Sequence, residues 1–155
     1  MNDLSDLLRP DAVLTAITAP NRKMLFQLLG AAAGPALGVA PRLIAERLAE
    51  REKLGSTGFG RGVAIPHAKI DGVTQVTGVF VRLSPAIDFQ AVDDLPVDLV
   101  FALLSPIGAG ADHLKALARV SRRMRDALFL SKVRGAGSPD AVYALFATDE
   151  ARDAA

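Results

Sequence analysis

The sequence contains no cysteine and no tryptophan, and it has only one tyrosine and two histidines. The lack of cysteine excludes disulfide bonds, thiolate nucleophiles and zinc sites with cysteine ligands. Eighteen lysines and arginines nearly balance seventeen aspartates and glutamates, which leaves a net charge of +1. This charge argues against a nucleic-acid partner held by bulk positive charge. Few side chains therefore remain for chemistry at neutral pH, chiefly the two histidines.

Long apolar segments and targeting signals are absent as well. No run approaches the roughly 20 apolar residues that a membrane-spanning helix needs. The N-terminal stretch 1–11 carries early aspartates in place of the basic start of a secretory signal. We therefore expect a cytoplasmic protein without direct membrane insertion. The chain is 155 residues long and half of them are apolar, which predicts a single globular domain over 1–155.

Periodicity predicts helices first, then strands, then helices again. Strands are expected over 11–17, 73–83 and 97–104, and helices over 21–33, 41–53, from 109 past 119, and after Ser138. For the first helix we expect a cap at Thr18 or Ala19, Pro20 as its first residue and an end at Gly34-Pro35. Ser84-Pro85 is expected to turn the chain. This order predicts an α/β fold with a mixed sheet covered by helices.

His67 is the first candidate functional residue. It follows Pro66 at the end of the β-prone run Val63–Ile65, beside a loop with glycines at 55, 58, 60 and 62. Such glycines let the backbone approach a ligand closely, and free N–H groups in a loop can bind phosphate. The alternative is a strand-end histidine held by its neighbours. A lone histidine near glycines is a weak signal, so the residues alone favour that alternative.

The other candidates are weaker on pattern alone. His113 follows the loop after strand 97–104, where α/β proteins often place functional groups, but from the residues alone a solvated helix start is the favoured interpretation. Asp112 would complete a three-ligand metal set on paper, although an acid at a helix N-terminus needs no metal. Arg51 lies in a charged run typical of a solvated face. Ser56-Thr57 lacks the G-x-S-x-G motif of acyl-transfer enzymes.

A basic cluster near the C-terminal end predicts either an acidic or nucleic-acid partner or a solvated helix face. The second interpretation is favoured, since no aromatic residues are interleaved for stacking on single strands. The cluster comprises Arg119, Arg122, Arg123, Arg125, Lys132 and Arg134.

Taken together, two segments resemble a known family. Residues 51–60 (REKLGSTGFG) and 62–68 (GVAIPHA) are similar to the motif of phosphotransferase-system EIIA domains of the fructose/mannitol type, and most similar to its nitrogen-regulatory branch. The resemblance continues through 87–89, 96–106 and 112–115, and covers most of the chain. It reverses the interpretations of His67, Arg51 and His113.

The resemblance implies a mixed sheet flanked by helices on both sides, and it implies roles for individual residues. His67 is expected to accept a phosphoryl group from the phosphocarrier HPr, or from NPr in the nitrogen branch. Arg51 and His113 are expected to assist at the phosphoryl oxygens. Backbone N–H groups are expected to bind phosphate at Ser56, Thr57 and Gly58. Since the donor is a phosphohistidine, neither a metal nor a cofactor is expected.

The resemblance also implies partners. A sugar-transport EIIA passes its phosphate to an EIIB, whereas the nitrogen-regulatory branch tunes partners such as potassium-transport or sensor-kinase systems. We expect the regulatory role, with docking centred on Phe59 and the apolar residues of the loop 54–66. Three alternatives stay open: a sugar-uptake EIIA that passes its phosphate to a separate EIIB, a binding module that does not cycle phosphate, and a metal-dependent hydrolase. The family has glutamate at the position of Asp112, so the role of Asp112 is not carried over.

Overall fold

The computed structural model describes residues 3–148. Its elements, in chain order, are β1 (Leu8–Ile17), α1 (Arg22–Leu37), α2 (Pro41–Lys53), β2 (Gly58–Gly60), β3 (Val63–Ala64), β4 (His67–Lys69), β5 (Thr77–Ile87), β6 (Val97–Ser105), α3 (Gly110–Met124), α4 (Ala127–Gly135) and α5 (Pro139–Phe146). Helix α2 has the bounds that the sequence predicts, and β6 extends the predicted strand 97–104 by one residue.

The sheet is mixed, as predicted. Its strand order is β1-β5-β6-β3-β2, and β4 pairs with β6 beyond the end of β3. Strand β1 runs parallel to β5, and β3 and β4 run parallel to β6. The two long central strands, β5 and β6, are antiparallel, as are β2 and β3.

Strand β6 is buried on both faces because both faces carry helices. Val100, Ala102 and Leu104 pack into the core on the side of α1 and α2. The intervening Leu99 and Phe101 pack into the core beneath α3, α4 and α5. This alternation explains why an uninterrupted apolar run forms a strand here, and it confirms the predicted helices on both sides of the sheet.

Helix α1 begins and ends later than its sequence suggests. Asn21, not Thr18 or Ala19, is the N-cap: its side chain accepts the Met24 N–H at 2.9 Å. Pro35 lies inside the helix instead of ending it. Because Pro35 lies close to the C-terminal end of α1, its missing N–H removes only one helical hydrogen bond. The helix ends at Gly38, whose left-handed φ of 68° is the usual termination geometry.

The turn predicted at Ser84-Pro85 does not occur. Strand β5 starts at Thr77 and continues through Pro85 to Ile87, with an irregular register between the pairs Arg82–Leu99 and Ile87–Val97. Proline is tolerated at such an irregularity because no ladder hydrogen bond is required there. Later in the chain, Asp126 divides the predicted helical stretch into α3 and α4 by accepting the N–H groups of Leu128 and Phe129.

Candidate active site

His67 lies where a strand is interrupted. Strands β3 and β4 both pair with β6, and Ile65-Pro66 separates them. Pro66 has no N–H to donate, but its carbonyl accepts the Leu103 N–H at 2.9 Å. His67 is in register with Leu103 at the start of β4. The backbone at the histidine is thus fixed on β6, while its side chain stays half-exposed.

One hydrogen bond fixes the tautomer of His67. Its Nδ1 lies 2.8 Å from the Ile65 carbonyl oxygen. A carbonyl can only accept, so Nδ1 carries the hydrogen and Nε2 keeps a free lone pair. Burial lowers the pKa of His67 below its usual value, and the positive charge of Arg51 lowers it further. The ring is therefore neutral at neutral pH, with Nε2 available as a nucleophile.

His113 approaches His67 from α3. The two ring centroids are 5.5 Å apart, at an interplanar angle of 47°. His113 is buried, and its Nδ1 lies 2.6 Å from the Ser105 hydroxyl at the end of β6. Burial lowers the pKa of His113, and the nearby His67 and Lys69 act in the same direction. Two neutral imidazoles thus face one another at this end of the sheet.

Arg51 reaches the same place from the other face of the sheet. It lies in the last turn of α2 and donates to the Gly55 carbonyl at 3.0 Å. A cavity of about 380 Å³ joins the three residues. Its lining comprises Arg47, Glu50, Arg51, Leu54, His67, Ala68, Lys69 and His113. The three residues singled out by the resemblance are therefore brought together from three separate elements.

Lys69 is a cavity residue that sequence reasoning missed. It lies two positions after His67 in β4, so the two side chains share one side of the strand. The spacing of two residues from His67 in a strand is the signal that could have identified Lys69. Arg47 is less available, since it pairs with Glu50 at 3.0 Å. Arg51 and Lys69 together therefore give the cavity an excess of positive charge beside the histidines.

The loop predicted to bind phosphate, residues 56–58, does not line the cavity at His67. Thr57 donates its backbone N–H to Glu52 at 2.9 Å and its hydroxyl at 2.7 Å. The Gly58 N–H is bonded to the Ser56 hydroxyl at 3.1 Å. None of Ser56, Thr57 and Gly58 belongs to the cavity lining. Their binding of phosphate stays a prediction, and the donors of Thr57 and Gly58 already have partners.

Two other candidates lie away from the site. Phe59 is half-buried on the α3–α5 side, 5.2 Å beneath the guanidinium of Arg125. Arg125 ends α3 whereas His113 lies in its first turn, so about 20 Å of helix separates them. Phe59 is thus misplaced for docking at His67. Asp112 is exposed and outside the cavity lining.

The metal alternative finds no support in residues 3–148. No cluster of three or more histidine, cysteine, aspartate or glutamate side chains in this part of the chain is arranged to hold a metal.

The basic cluster predicted near the C-terminal end is divided and does not form one continuous surface. Arg119 pairs with Asp6, Arg134 pairs with Asp98, and Arg123 is buried over the ring of Phe129.

Residues 6–148 match the family model described as "Phosphoenolpyruvate-dependent sugar phosphotransferase system, EIIA 2". The chain belongs to this EIIA 2 family. The resemblance inferred from the motifs around Arg51 and His67 is thereby confirmed, and with it the fold class.

Relatives of this EIIA chain place it beside the nitrogen-regulatory proteins. The nitrogen regulatory protein of Bradyrhizobium diazoefficiens is 46% identical over 144 residues, covering 93% of this chain and 94% of that protein. The solved structure of nitrogen regulatory protein IIA-Ntr from Neisseria meningitidis has 32% identity and a TM-score of 0.86, covering 92% and 98% of the two chains. A fructose-specific EIIA component of Haloferax volcanii is also 46% identical, but over only 51% of each chain.

Helices long and apolar enough for a bilayer crossing do not occur in the described part of this EIIA chain.

Proposed function

We propose that this EIIA chain is a cytoplasmic phosphocarrier of the nitrogen-regulatory kind, with His67 as its phosphoacceptor. The Nε2 lone pair attacks the phosphorus of a phosphohistidine on HPr or NPr. The donor N–P bond breaks, and its electron pair returns to the donor imidazole. The observation that carries the proposal is the Nδ1–Ile65 hydrogen bond, which leaves Nε2 of a neutral ring free at a positively charged cavity.

Arg51 and His113 would stabilise the charge that spreads over the phosphoryl oxygens during transfer. Arg51 offers a guanidinium fork suited to an anionic phosphoryl group. If Ser105 donates its hydroxyl hydrogen to Nδ1 of His113, then Nε2 of His113 carries a hydrogen and acts as a donor. The two histidines would thus hold opposite tautomers, one a nucleophile and the other a hydrogen-bond donor.

The surface around the cavity supports docking of a phosphocarrier. Leu54 lines the cavity and is 83% exposed. Leu114 follows His113 directly and is 65% exposed, and Ile107 in the β6–α3 loop is 58% exposed. Exposed apolar side chains beside a reactive group are typical of the centre of a protein interface. Leu54 belongs to the loop 54–66 where the sequence predicts docking, whereas Ile107 and Leu114 were not predicted.

The nitrogen-regulatory role is favoured over sugar transport by the relatives. The Bradyrhizobium protein matches nearly full length, whereas the fructose-specific component matches over half. We therefore propose that the phosphorylation state tunes partner proteins, such as potassium-transport or sensor-kinase systems. Transfer to a separate EIIB is the second candidate, supported by the fructose-specific match.

The test is incubation with phosphoenolpyruvate, Enzyme I and HPr or NPr, followed by intact-mass measurement. The wild-type chain should gain one acid-labile phosphate, and His67→Ala should gain none. His67→Ala should keep its unfolding midpoint, because the side chain is half-exposed and, within residues 3–148, its ring makes a single hydrogen bond, to the Ile65 carbonyl. Labelling that persists in His67→Ala, or that fails in the wild type with both donors active, would contradict the proposal.

A further inference from the structure

A second and larger cavity lies between α1 and α2. Its volume is about 710 Å³, and it opens between the start of α1 and the outer side of α2. Its apolar surface comes from Pro20, Phe26, Ala45 and Ala49. The two alanines leave the space open because α2 has no large side chain there. The other ten lining residues are polar or charged. The volume lies within the range of small-molecule sites.

The charges around this cavity leave an excess of positive charge. Arg42 pairs with Glu46 at 3.4 Å, and Arg22 pairs with Glu52 at 3.4 Å. The remaining acid, Asp88, accepts the Gln90 N–H at 3.0 Å and keeps its negative charge, so the four cations and three carboxylates of the lining leave a net charge of +1.

The two cations of the lining that take no part in these ion pairs are Lys23 and Lys53, and both are exposed. Both line the cavity, and neither makes an ion pair with any residue in the range 3–148. An occupant that satisfies both ammonium groups and the apolar surface must carry a negative charge on an apolar body.

We propose that the α1–α2 cavity binds a small organic anion with an apolar ring or chain, and that Glu52 transmits its presence through Thr57, whose carbonyl accepts the N–H of Ile65, the residue bonded to the His67 ring. The binding half stands on the cavity alone. The transmission half rests on the proposed function of His67.

Glu52 is the residue that connects the two sites. It lines the α1–α2 cavity, and its side chain is only 2% exposed. Its two oxygens hold the N–H and hydroxyl of Thr57 in the glycine loop. It also directly follows Arg51, which lines the cavity at His67.

Arg22 is the contact that an anion would disturb. Its guanidinium lies 3.4 Å from Glu52 and donates to the Phe89 carbonyl at 2.9 Å. An anion in the cavity attracts this guanidinium away from Glu52. Because the Glu52 carboxylate is buried, losing part of its countercharge shifts its hydrogen bonds to Thr57.

Binding is tested with 1-anilinonaphthalene-8-sulfonate, an aromatic sulfonate that fluoresces in apolar surroundings. We expect saturable binding that weakens about tenfold in Lys23→Ala/Lys53→Ala, since each charge contributes modestly at an exposed rim. Ala49→Phe, which fills the cavity, should abolish it. The matched control Arg9→Ala/Arg122→Ala removes two positive charges from exposed positions elsewhere. Equal weakening in the control, unchanged binding in both cavity variants, or no binding at millimolar probe overturns the site.

Transmission is tested by amide NMR without any phosphorylation step. The probe should shift the amide signals of Ala45 and Ala49, and also that of Thr57. In Glu52→Gln the signals of α2 should still shift, while that of Thr57 should no longer respond. A Thr57 signal that never moves, or that moves equally in Glu52→Gln, overturns transmission. Failure of phosphate labelling at His67 would leave these measurements intact, so the two proposals fail separately.

Discussion

The two faces of the sheet are packed in different ways. On the α3–α5 side, the ring centroid of Phe146 lies 4.9 Å from that of Phe80, 5.4 Å from that of Phe101 and 5.2 Å from that of Phe129. On the other side, α1 and α2 meet through backbone, since a Cβ at Gly30 would overlap the Pro41 carbonyl oxygen. The α3–α5 face thus holds a cluster of four rings, whereas the other face has small residues where α1 meets α2 and opens there into a cavity of about 710 Å³.

The candidate site takes one residue from each face. Arg51 comes from α2 and His113 from α3, with His67 on the sheet between them. The packing of each helical layer therefore sets where one of the two assisting groups meets the phosphoacceptor. Each prediction below alters one face, or one residue that a face supplies, and leaves the other in place.

The largest effect is expected from breaking the aromatic face. Phe146→Ala removes the ring that contacts Phe80, Phe101 and Phe129, and should lower the free energy of unfolding by about 3–5 kcal/mol. Phe146→Leu should cost clearly less, because it keeps most of the buried volume. Urea denaturation followed by circular dichroism measures both. A loss below about 1 kcal/mol in the alanine variant would mean that this cluster does not anchor α5.

The next effect concerns the residue supplied by the small-residue face. Arg51→Ala should slow phosphorylation of His67 by roughly two to three decades, corresponding to about 3–4 kcal/mol of barrier. His113→Ala should slow it somewhat less. Rapid-quench kinetics with a phosphorylated donor measures both rates. Arg47→Ala is a suitable control, because Arg47 lines the same cavity but is paired with Glu50. Wild-type rates in both test variants would rule out the proposed site geometry.

A smaller effect is expected where α1 and α2 approach each other. Gly30→Ala places a methyl group against the Pro41 backbone and should cost about 1–3 kcal/mol of unfolding free energy. Gly135→Ala in α4 is the matched control, because a Cβ there has open space, and it should be neutral or slightly stabilising. Thermal unfolding of both variants separates crowding from helix propensity. If Gly30→Ala and Gly135→Ala are equally stable, then α1 and α2 can move apart without a loss of unfolding free energy.

The smallest effect is a displacement of the His67 titration. Arg51 lowers the pKa of His67 and Glu52 raises it. Arg51→Ala should therefore move the pKa upward toward the usual value of about 6.5, and Glu52→Gln should move it further down. NMR titration of the imidazole signals measures both shifts. The acid limb of the phosphorylation rate should follow in the same directions, because only the neutral ring attacks. Shifts of the same sign in both variants would contradict this arrangement of charges.

The sequence predicts those parts of the fold that depend on local pattern. The extent of α2, the apolar run of β6 and the cap at Ser138 all lie where the residues place them. Pro35 and Pro85 mislead because tertiary contacts override them. The close contact of α1 with α2 keeps Pro35 in a helix, and pairing with β6 keeps Pro85 in a strand.

The candidate site likewise contains residues that the sequence predicts and residues whose roles depend on tertiary contacts. The cluster of His67, Arg51 and His113 is predicted by resemblance to the EIIA family, not by spacing. Ser105 and Glu52 could not be found from the sequence, since their roles come from contacts with His113 and Arg22 across the fold. Phe59 was misassigned because nearness in the chain to His67 does not imply nearness in space.

The hydrogen bond from His67 to the Ile65 carbonyl has a consequence for the phosphorylated state. If Nδ1 keeps its hydrogen while Nε2 carries the phosphoryl group, the ring becomes a phosphoimidazolium cation. Such a ring departs as neutral imidazole, a far better leaving group than an imidazolate. No proton then has to leave or return at His67 during either loading or unloading. A peptide carbonyl two residues away, which no side-chain substitution removes, would thus keep the phosphoryl group transferable in both directions.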